Sequence, residues 1–361
     1  MENYVPGIGF AAGGMMVQWK VLNSHLNPAL IKCKPGDHVN VFINFESVLY
    51  NLTLQKNLSN MIHFHKQSLV IELESAILNL MGIYKAYFKT KNVIPRIYFY
   101  HTNLLTNAQQ MYSYNKFYRT YYKNRYMQNP QFKSMGDVLN AIIIPEIKLI
   151  TSYIPNCYFL ESTTFDGSII PKIVSEFSEC SANIIISSDV FDTLYIYNPN
   201  FSVVYIKRRY SVVNIYSEIS EIVQSILKEE DPFDATIFNS QLYYRLLLSI
   251  KGSKIRNVKS AKGFGYGKFM KILKDGLYKG IVLKDFESID SILQLFPNKY
   301  QDDIKSSFQC MDIETQYALL NEVDISHIKD QLVERSDVPS LETLNNKRFL
   351  DSPINLSNLL E

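Results

Sequence analysis

The sequence predicts an α/β fold with a central, mostly parallel sheet and a helical C-terminal lobe. In the N-terminal half, short segments rich in β-branched and aromatic residues alternate with longer segments whose apolar residues recur at helical spacing. From about residue 217 onward the pattern is helical, with a glycine-rich turn at 252–267. Strands that alternate with helices are typical of a parallel sheet covered on both faces.

The elements follow one another in a regular order. The predicted strands are VNVFINF (39–45), RIYFYH (96–101), CYFLES (157–162) and NIIIS (183–187), and 201–216 is predicted to form a hairpin or two short strands. Helices are predicted over about 60–89, 134–152 and 167–179. We therefore expect an N-terminal arm (1–38), an α/β domain (39–216), a helical lobe (217–335) and a C-terminal tail (336–361).

Composition excludes several functional classes. The 37 basic and 35 acidic residues nearly balance, so any affinity for nucleic acid must come from a local patch. The four cysteines form no CxxC pair, which argues against a zinc site, and a chain of this size does not need a disulfide framework. No apolar run reaches 18 residues. We expect a soluble protein made in the cytoplasm, with no cofactor and no membrane partner.

Segments in the expected order resemble the 5′-nuclease family, which includes T-even phage RNase H, the flap endonucleases and the 5′-nuclease domains of bacterial DNA polymerases. INFESVLYN (43–51) resembles the first strand and turn, and YYKNRYMQNP (121–130) resembles the clamp motif. FDGSIIPKIVSEF (165–177) and NIIISSDVFDTL (183–194) resemble the next acidic segments. GSKIRNVKSAKGFGYGKF (252–269) is similar to the helix–hairpin–helix signature, and the phage RNase H branch is the most similar.

The resemblance implies two divalent metal ions held by a dense cluster of carboxylates, which offset the mutual repulsion of the cations. Most of the matched acid positions carry other residues here. They are Asn44, Phe165, Gly167, Ser168, Asp189, Phe191, Ser253 and Arg256, and of these only Asp189 is an acid. The second strand ends in His101, where an acid is usual. We therefore predict no catalytic residues and no metal site.

Three further acids lie one or two residues out of register: Glu46, Asp166 and Asp192. A shift of one residue along a strand turns a side chain to the opposite face, so these acids are expected to be poor substitutes. Together with Asp189 they form the relocated acid set that an active enzyme would need.

Basic residues that the resemblance assigns to DNA are better retained. They are Lys116, Arg119, Lys123 and Arg125 of the clamp segment, and Lys254, Lys259, Lys262, Gly263, Gly265 and Lys268 of the hairpin segment. Charge and interleaved tyrosines would grip a single strand, and glycine amides would approach a phosphate. The clamp segment is equally consistent with a solvated amphipathic helix, and the hairpin with a plain scaffold.

Three functional hypotheses follow. The first is an inactive 5′-nuclease-like protein reused as a phage virion or assembly component, with other phage structural proteins or its own copies as partners and DNA as a further ligand. The second is a non-catalytic DNA-binding protein of phage replication. The third is an active metal-dependent 5′-nuclease that uses the relocated acid set. The expected location is the virion, or the host cytoplasm during infection.

Overall fold

The structure, a computed structural model, describes residues 26, 29–45, 47–48, 66–102, 142–187, 189, 192–206, 212–213, 240–251, 261, 263–279 and 286–332. The chain divides into two compact units. The first comprises 1–103, 126–213 and 321–361, and the second comprises 104–125 and 214–320. No helix within the described ranges is long and apolar enough to cross a membrane.

The first unit is built on a six-stranded sheet in the order β3-β2-β1-β4-β5-β6. Its strands are β1 (His38–Asn44), β2 (Ile94–Thr102), β3 (Cys157–Ser162), β4 (Ala182–Ser187), β5 (Phe201–Ile206) and β6 (Val212–Val213). All neighbours are parallel except β5 and β6, which form an antiparallel pair at one edge. The predicted mostly parallel sheet is therefore confirmed.

The described helices are numbered in chain order. They are α1 (Lys66–Thr90), α2 (Ile144–Thr151), α3 (Ile170–Phe177), α4 (Ser240–Lys251), α5 (Tyr266–Tyr278), α6 (Ile289–Leu293), α7 (Asn298–Met311), α8 (Ile313–Ala318) and α9 (Glu322–Asp330). Short 3-10 turns at Gly167–Ile169 and Asp192–Tyr197 complete the first unit. Helix α2 coincides with the last part of the helix predicted over 134–152. Residues 134–141 lie outside the described residues.

The central strands are apolar on both faces. On one face, Val41 and Ile43 of β1 join a buried cluster with residues of α1 and α2 such as Tyr84 and Ile147. On the other face, the rings of Phe42 and Tyr98 stack with centroids 5.1 Å apart, and Tyr98 stacks on Tyr158 at 5.0 Å. A sheet covered on both faces needs such continuous hydrophobic strands, which is why β1 was recognisable from the sequence.

The end of the predicted N-terminal arm packs into the first unit. Leu26 and Leu30 are buried members of the same cluster, and Cys33 packs against it. Residues 1–25 lie outside the described part of the chain.

Helix α9 returns to the first unit after the helices of the second. Asn321 and Asp324 form a capping box at its start, in which each side chain accepts a hydrogen bond from the other residue's backbone N–H. The Thr164 hydroxyl also donates to Asp324 Oδ1 at 2.6 Å, which fixes α9 beside the loop that follows β3. The helix is thus positioned by side chains at its N-terminus.

Candidate functional site at the carboxyl ends of the strands

The topological switch point of the sheet lies between β1 and β4, because the chain continues from β1 to β2 on one side and returns to β4 on the other. In open α/β sheets, functional sites lie outside the carboxyl ends of the strands at such a point. Asn44 ends β1, Ser187 ends β4, and Tyr100 lies level with Asn44 on β2. Polar side chains of three neighbouring strands therefore converge at this edge.

A buried carboxylate lies at the centre of this convergence. Oδ2 of Asp192 accepts hydrogen bonds from Asn44 Nδ2 at 2.7 Å, from the Tyr100 hydroxyl at 2.8 Å and from the Ser187 hydroxyl at 2.5 Å. Asp192 is fully buried. We call these four residues the Asp192 cluster. All three donors are neutral, so no cation within the cluster offsets the charge of the carboxylate.

A second layer of hydrogen bonds holds the donors in place. The Asn44 side-chain oxygen accepts the backbone N–H of Ser47 at 3.0 Å, which orients its amide toward Asp192. The Ser187 hydroxyl accepts the backbone N–H of Asp189 at 2.9 Å and lies 3.3 Å from the Ser47 hydroxyl. The turn after β4 is therefore tied to the cluster.

Burial dominates the acid–base properties of the cluster. It raises the pKa of the Asp192 carboxyl above its usual range, although hydrogen bonds from Ser187, Asn44, Tyr100 and Ser168 act in the opposite direction. Burial also raises the pKa of the Tyr100 hydroxyl, and the neighbouring Asp192 raises it further. Tyr100 is therefore a hydrogen-bond donor to Asp192 and not a general base.

Asp166 is a second buried acid near the cluster. Its Oδ1 accepts the backbone N–H of Ser168 at 2.8 Å, which caps the 3-10 turn before α3. Burial raises the pKa of the Asp166 carboxyl well above its usual range, and the charges of Asp189 and Asp192 raise it further. Asp166 is thus close enough to Asp189 and Asp192 to be affected by the charge of each.

Gly167 lies against the end of β2, which leaves no room for a side chain. A Cβ added there would come within 2.7 Å of the Thr102 hydroxyl and 2.9 Å of the His101 carbonyl group. The backbone N–H of Gly167 donates to that same Thr102 hydroxyl at 2.8 Å. Position 167 therefore requires glycine, and a carboxylate side chain does not fit.

Comparison with solved structures gives the fold. The flap endonuclease of bacteriophage T5, as a pseudo-enzyme–product complex with DNA and metal ions, matches with a TM-score of 0.50 and 12% identity over 81% of this chain and 98% of that chain. The T5 5′-exonuclease with bound zinc matches with a TM-score of 0.45, 12% identity and coverage of 82% and 99%. The T5 D15 protein co-crystallised with metal ions matches with a TM-score of 0.40 and 10% identity over 81% of this chain and 98% of that chain. At the level of sequence, no family model and no curated protein matches.

The chain has the fold of a phage 5′-nuclease. This is the fold that the sequence resemblance implied. The Asp192 cluster lies at the switch point of its sheet. At 12% identity the likeness establishes the fold alone, so the chemistry must be argued from the residues themselves.

The matched acid positions that the structure describes do lie together in this 5′-nuclease fold. Asn44 and Ser168 both contact Asp192, and Asp189 is joined to the cluster through Ser187. Phe165 is buried in the loop after β3, where its backbone N–H donates to the Ser162 hydroxyl. Phe191, Ser253 and Arg256 lie outside the described residues.

Asp192 corrects the sequence interpretation. We expected it to point away from the site because it is one residue out of register, yet it is the residue on which Asn44 and Tyr100 converge. The alternation of side chains holds only within a strand. Strand β4 ends at Ser187 and Asp192 begins a 3-10 turn, so the chain has changed direction before it reaches this residue.

Among the described residues, no group of three or more His, Cys, Asp or Glu side chains is arranged to hold a metal ion. Asp166 and Asp192 are engaged by hydrogen-bond donors, and Glu46 lies outside the described part of the chain. His101, at the end of β2, packs edge-to-face on Phe45 with centroids 6.1 Å apart.

Most residues assigned to DNA binding lie outside the described ranges: Lys116, Arg119, Lys123, Arg125, Lys254, Lys259 and Lys262. The described ones, Gly263, Gly265 and Lys268, lie at the start of α5. The described ranges do not include residues 252–260, so the helix–hairpin–helix stays a prediction.

The start of α5 is a cationic, exposed helix N-terminus. Gly263 has a φ of +72°, and Gly265 has open space around it. Lys268 donates to the Gly263 carbonyl oxygen at 2.6 Å. Lys268 and Lys299 lie 5.7 and 4.9 Å from the Tyr300 ring centroid. Desolvation raises the pKa of the Tyr300 hydroxyl, but hydrogen bonds and charge from the two lysines outweigh it and lower the pKa.

The Asp192 cluster predicts a specific dependence of stability on pH. Because the pKa of this carboxyl is raised in the folded state, its contribution to stability is fully present below the unfolded pKa of about 3.9 and is lost as pH rises through the folded pKa. Asp192→Asn removes this contribution. The free energy of unfolding of the variant relative to wild type should therefore increase from about pH 4 to pH 7.

Urea denaturation at several pH values measures this difference, with Asp303→Asn, at an exposed position, as the control. A difference between Asp192→Asn and wild type that stays constant, or decreases, as pH rises would contradict the assignment.

Proposed function

We propose that this chain is a 5′-nuclease-fold protein of a bacteriophage that does not cleave DNA and acts by binding. The observation that carries the proposal is the Asp192 cluster. At the place where metal-dependent cleavage needs several carboxylates facing a cation, the buried Asp192 carboxylate accepts its hydrogen bonds from neutral side chains.

Steric and electrostatic features support the loss of cleavage independently. Gly167 stands at a matched acid position where the backbone of His101 and the Thr102 hydroxyl exclude a carboxylate. Asn44, at another matched acid position, uses both ends of its amide, one toward Asp192 and one toward Ser47. A metal ion at this site would have to displace donors that the buried Asp192 carboxyl needs.

DNA is the ligand that the remaining features favour. The T5 flap endonuclease of the same fold was captured with DNA. In this chain, the exposed N-terminus of α5 presents Gly265 with open space, and Lys268 and Lys299 flank it. A helix N-terminus attracts phosphate through its free N–H groups and its dipole, and neighbouring ammonium groups add charge.

We expect no cleavage of a labelled flap or nicked duplex with magnesium or manganese. An active phage 5′-nuclease on the same substrate is the positive control. Turnover by this chain that disappears in Asp189→Ala would contradict the proposal and support the relocated acid set of Glu46, Asp166, Asp189 and Asp192. Asp189→Ala is the decisive variant because Asp189 is the one acid at a matched position.

We expect DNA binding that weakens with salt and depends on the start of α5. The double variant Lys268→Ala/Lys299→Ala should lower affinity for branched or single-stranded DNA by roughly tenfold and reduce the salt slope by about two, since each lysine neutralises about one phosphate. Fluorescence anisotropy at several salt concentrations measures both. Lys89→Ala, which removes an exposed lysine of the first unit, is the control and should change neither. Equal losses in both variants would contradict the assignment.

Assembly into a virion is the second candidate role, and exposed apolar side chains favour it. Ile31 is 81% exposed and Val323 is 76% exposed. Large apolar side chains that are this accessible gain most from burial in a protein interface. The partners would be other phage structural proteins or further copies of the chain, in the virion or in the host cytoplasm during infection.

If the chain is an assembly component, purified phage particles should contain it in a defined copy number, measured by quantitative mass spectrometry. Ile31→Asp and Val323→Asp should reduce incorporation of the chain into particles. Ile94→Asp, at a position that is only 39% exposed, is the control for a general loss of the fold. Particles free of the chain would exclude the virion role and leave the DNA-binding role in place.

A further inference from the structure

Positive charge is concentrated at the amino ends of β1, β2 and β4. Three segments lie there: the loop before β1 (31–37), the end of α1 with the turn after it (89–92) and the turn between α3 and β4 (178–181). We call these segments, with Arg96 of β2, the amino-edge surface. Its basic residues are Lys32, Lys34, Lys89, Lys91 and Arg96, and its acidic residues are Asp37 and Glu179. Because the whole chain has a formal charge of only +2, this local excess of basic residues gives the surface a potential of its own.

Hydrogen bonds join the loop before β1 to the turn before β2. The Gly36 N–H donates to the Asn92 carbonyl oxygen at 2.7 Å, and the Ile94 N–H donates to the Asp37 carbonyl oxygen at 2.9 Å. Gly36 has a φ of +86° and Asn92 a φ of +55°, the left-handed conformation that tight turns use. The lysines of these two segments are therefore held on one connected backbone.

The turn before β4 is joined to the same backbone. The Ser181 hydroxyl donates to Asp37 Oδ2 at 2.6 Å, and the Lys34 N–H donates to the same oxygen at 2.8 Å. Arg96 Nη1 donates to the Glu179 carbonyl oxygen at 3.1 Å, which fixes the guanidinium beside this turn. The amino-edge surface is thus pre-organised, and pre-organisation lowers the entropic cost of binding a partner.

Cationic and apolar side chains are accessible together on this surface. Lys32, Lys34 and Lys89 are exposed, as is Pro35, and Ile31 is 81% exposed. A protein segment that carries both carboxylates and aliphatic side chains matches this mixture, because it pairs with the lysines and buries the isoleucine at the same time. A nucleic acid would pair with the lysines through its phosphates but would offer no aliphatic side chain to Ile31.

We propose that the amino-edge surface binds an acidic segment of a protein partner that also presents aliphatic side chains. The surface lies at the opposite end of β1 from the Asp192 cluster, about 20 Å away for a strand of seven residues. Binding of the partner therefore does not occupy the Asp192 cluster. The proposal rests on the proposed assembly role, to which Ile31 belongs, and names the chemistry of the partner that this role requires.

A short fluorescein-labelled peptide of alternating glutamate and leucine is the probe, titrated with the full-length protein and followed by anisotropy. Lys32→Glu/Lys34→Glu should weaken binding at least tenfold, because two attractions become repulsions, and Ile31→Ser should weaken it at least threefold. The matched control Lys271→Glu/Lys279→Glu makes the same change of charge at two exposed lysines of the second unit and should bind like wild type. Circular dichroism of each variant confirms that the fold is kept.

A peptide of alternating glutamate and serine and a single-stranded DNA oligonucleotide distinguish the outcomes. The proposal is supported if wild type binds the serine peptide more weakly than the leucine peptide, and if Lys32→Glu/Lys34→Glu loses the leucine peptide but keeps DNA binding. It is overturned if wild type binds neither peptide, or if the charge-reversal variant and its control lose equal affinity. A loss of DNA binding in Lys32→Glu/Lys34→Glu also overturns it, in favour of a nucleic-acid surface.

Two further measurements separate this proposal from the roles proposed above. Self-association of the protein in sedimentation that Lys32→Glu/Lys34→Glu abolishes overturns the proposal, since a second copy is then the partner. Normal incorporation of the same variant into phage particles overturns the partner chemistry and keeps the assembly role. Particles free of the chain remove the assembly role itself, and the peptide titration then decides whether the surface binds an acidic segment.

Discussion

The burial of one carboxylate constrains the whole carboxyl edge of the sheet. Asp192 accepts hydrogen bonds from the side chains of β1, β2 and β4 through a single oxygen atom. An unsatisfied buried carboxyl costs several kcal/mol, so each donor must remain in place for the fold to be stable. The ends of three strands are thereby fixed relative to one another at the switch point. The site is organised around its own acid, and its polar groups are directed inward and not toward solvent.

This arrangement inverts the charge balance of a two-metal site. There, several carboxylates converge and cations offset their repulsion. Here, Asn44 and Ser168 stand at matched acid positions and stabilise a single carboxyl as neutral donors, while burial raises the pKa values of Asp192 and Asp166. The neutral residues and the raised pKa values each lower the negative charge that is buried at this edge of the sheet. The framework of a 5′-nuclease can therefore be stable without a bound cation, which the proposed binding function requires.

The parts of the fold that depend on local pattern could be predicted from the sequence. The buried strands were recognisable from runs such as 39–45, and the switch-point rule placed Asn44 and Asp189 at one edge. Tertiary contacts could not be predicted. The Tyr100 hydroxyl is indistinguishable in sequence from other strand tyrosines, and the contact of Gly167 with Thr102 joins positions 65 residues apart. The position of Asp192 depends on where β4 ends, and strand boundaries are the least certain part of a sequence interpretation.

Asn44 and Gly167 stand at two matched acid positions, and the contacts of each oppose an aspartate there. An aspartate at position 44 would bring a second carboxylate to the 2.7 Å contact that the Asn44 amide now makes with Asp192, and it would remove a donor at the same time. An aspartate at position 167 would collide with His101 and Thr102, so β2 would have to move before that acid could be accommodated. Movement of β2 would in turn displace the Tyr100 hydroxyl from Asp192. Neither acid can be introduced alone without destabilising the cluster, so a metal site at this edge would require coordinated changes on at least two strands.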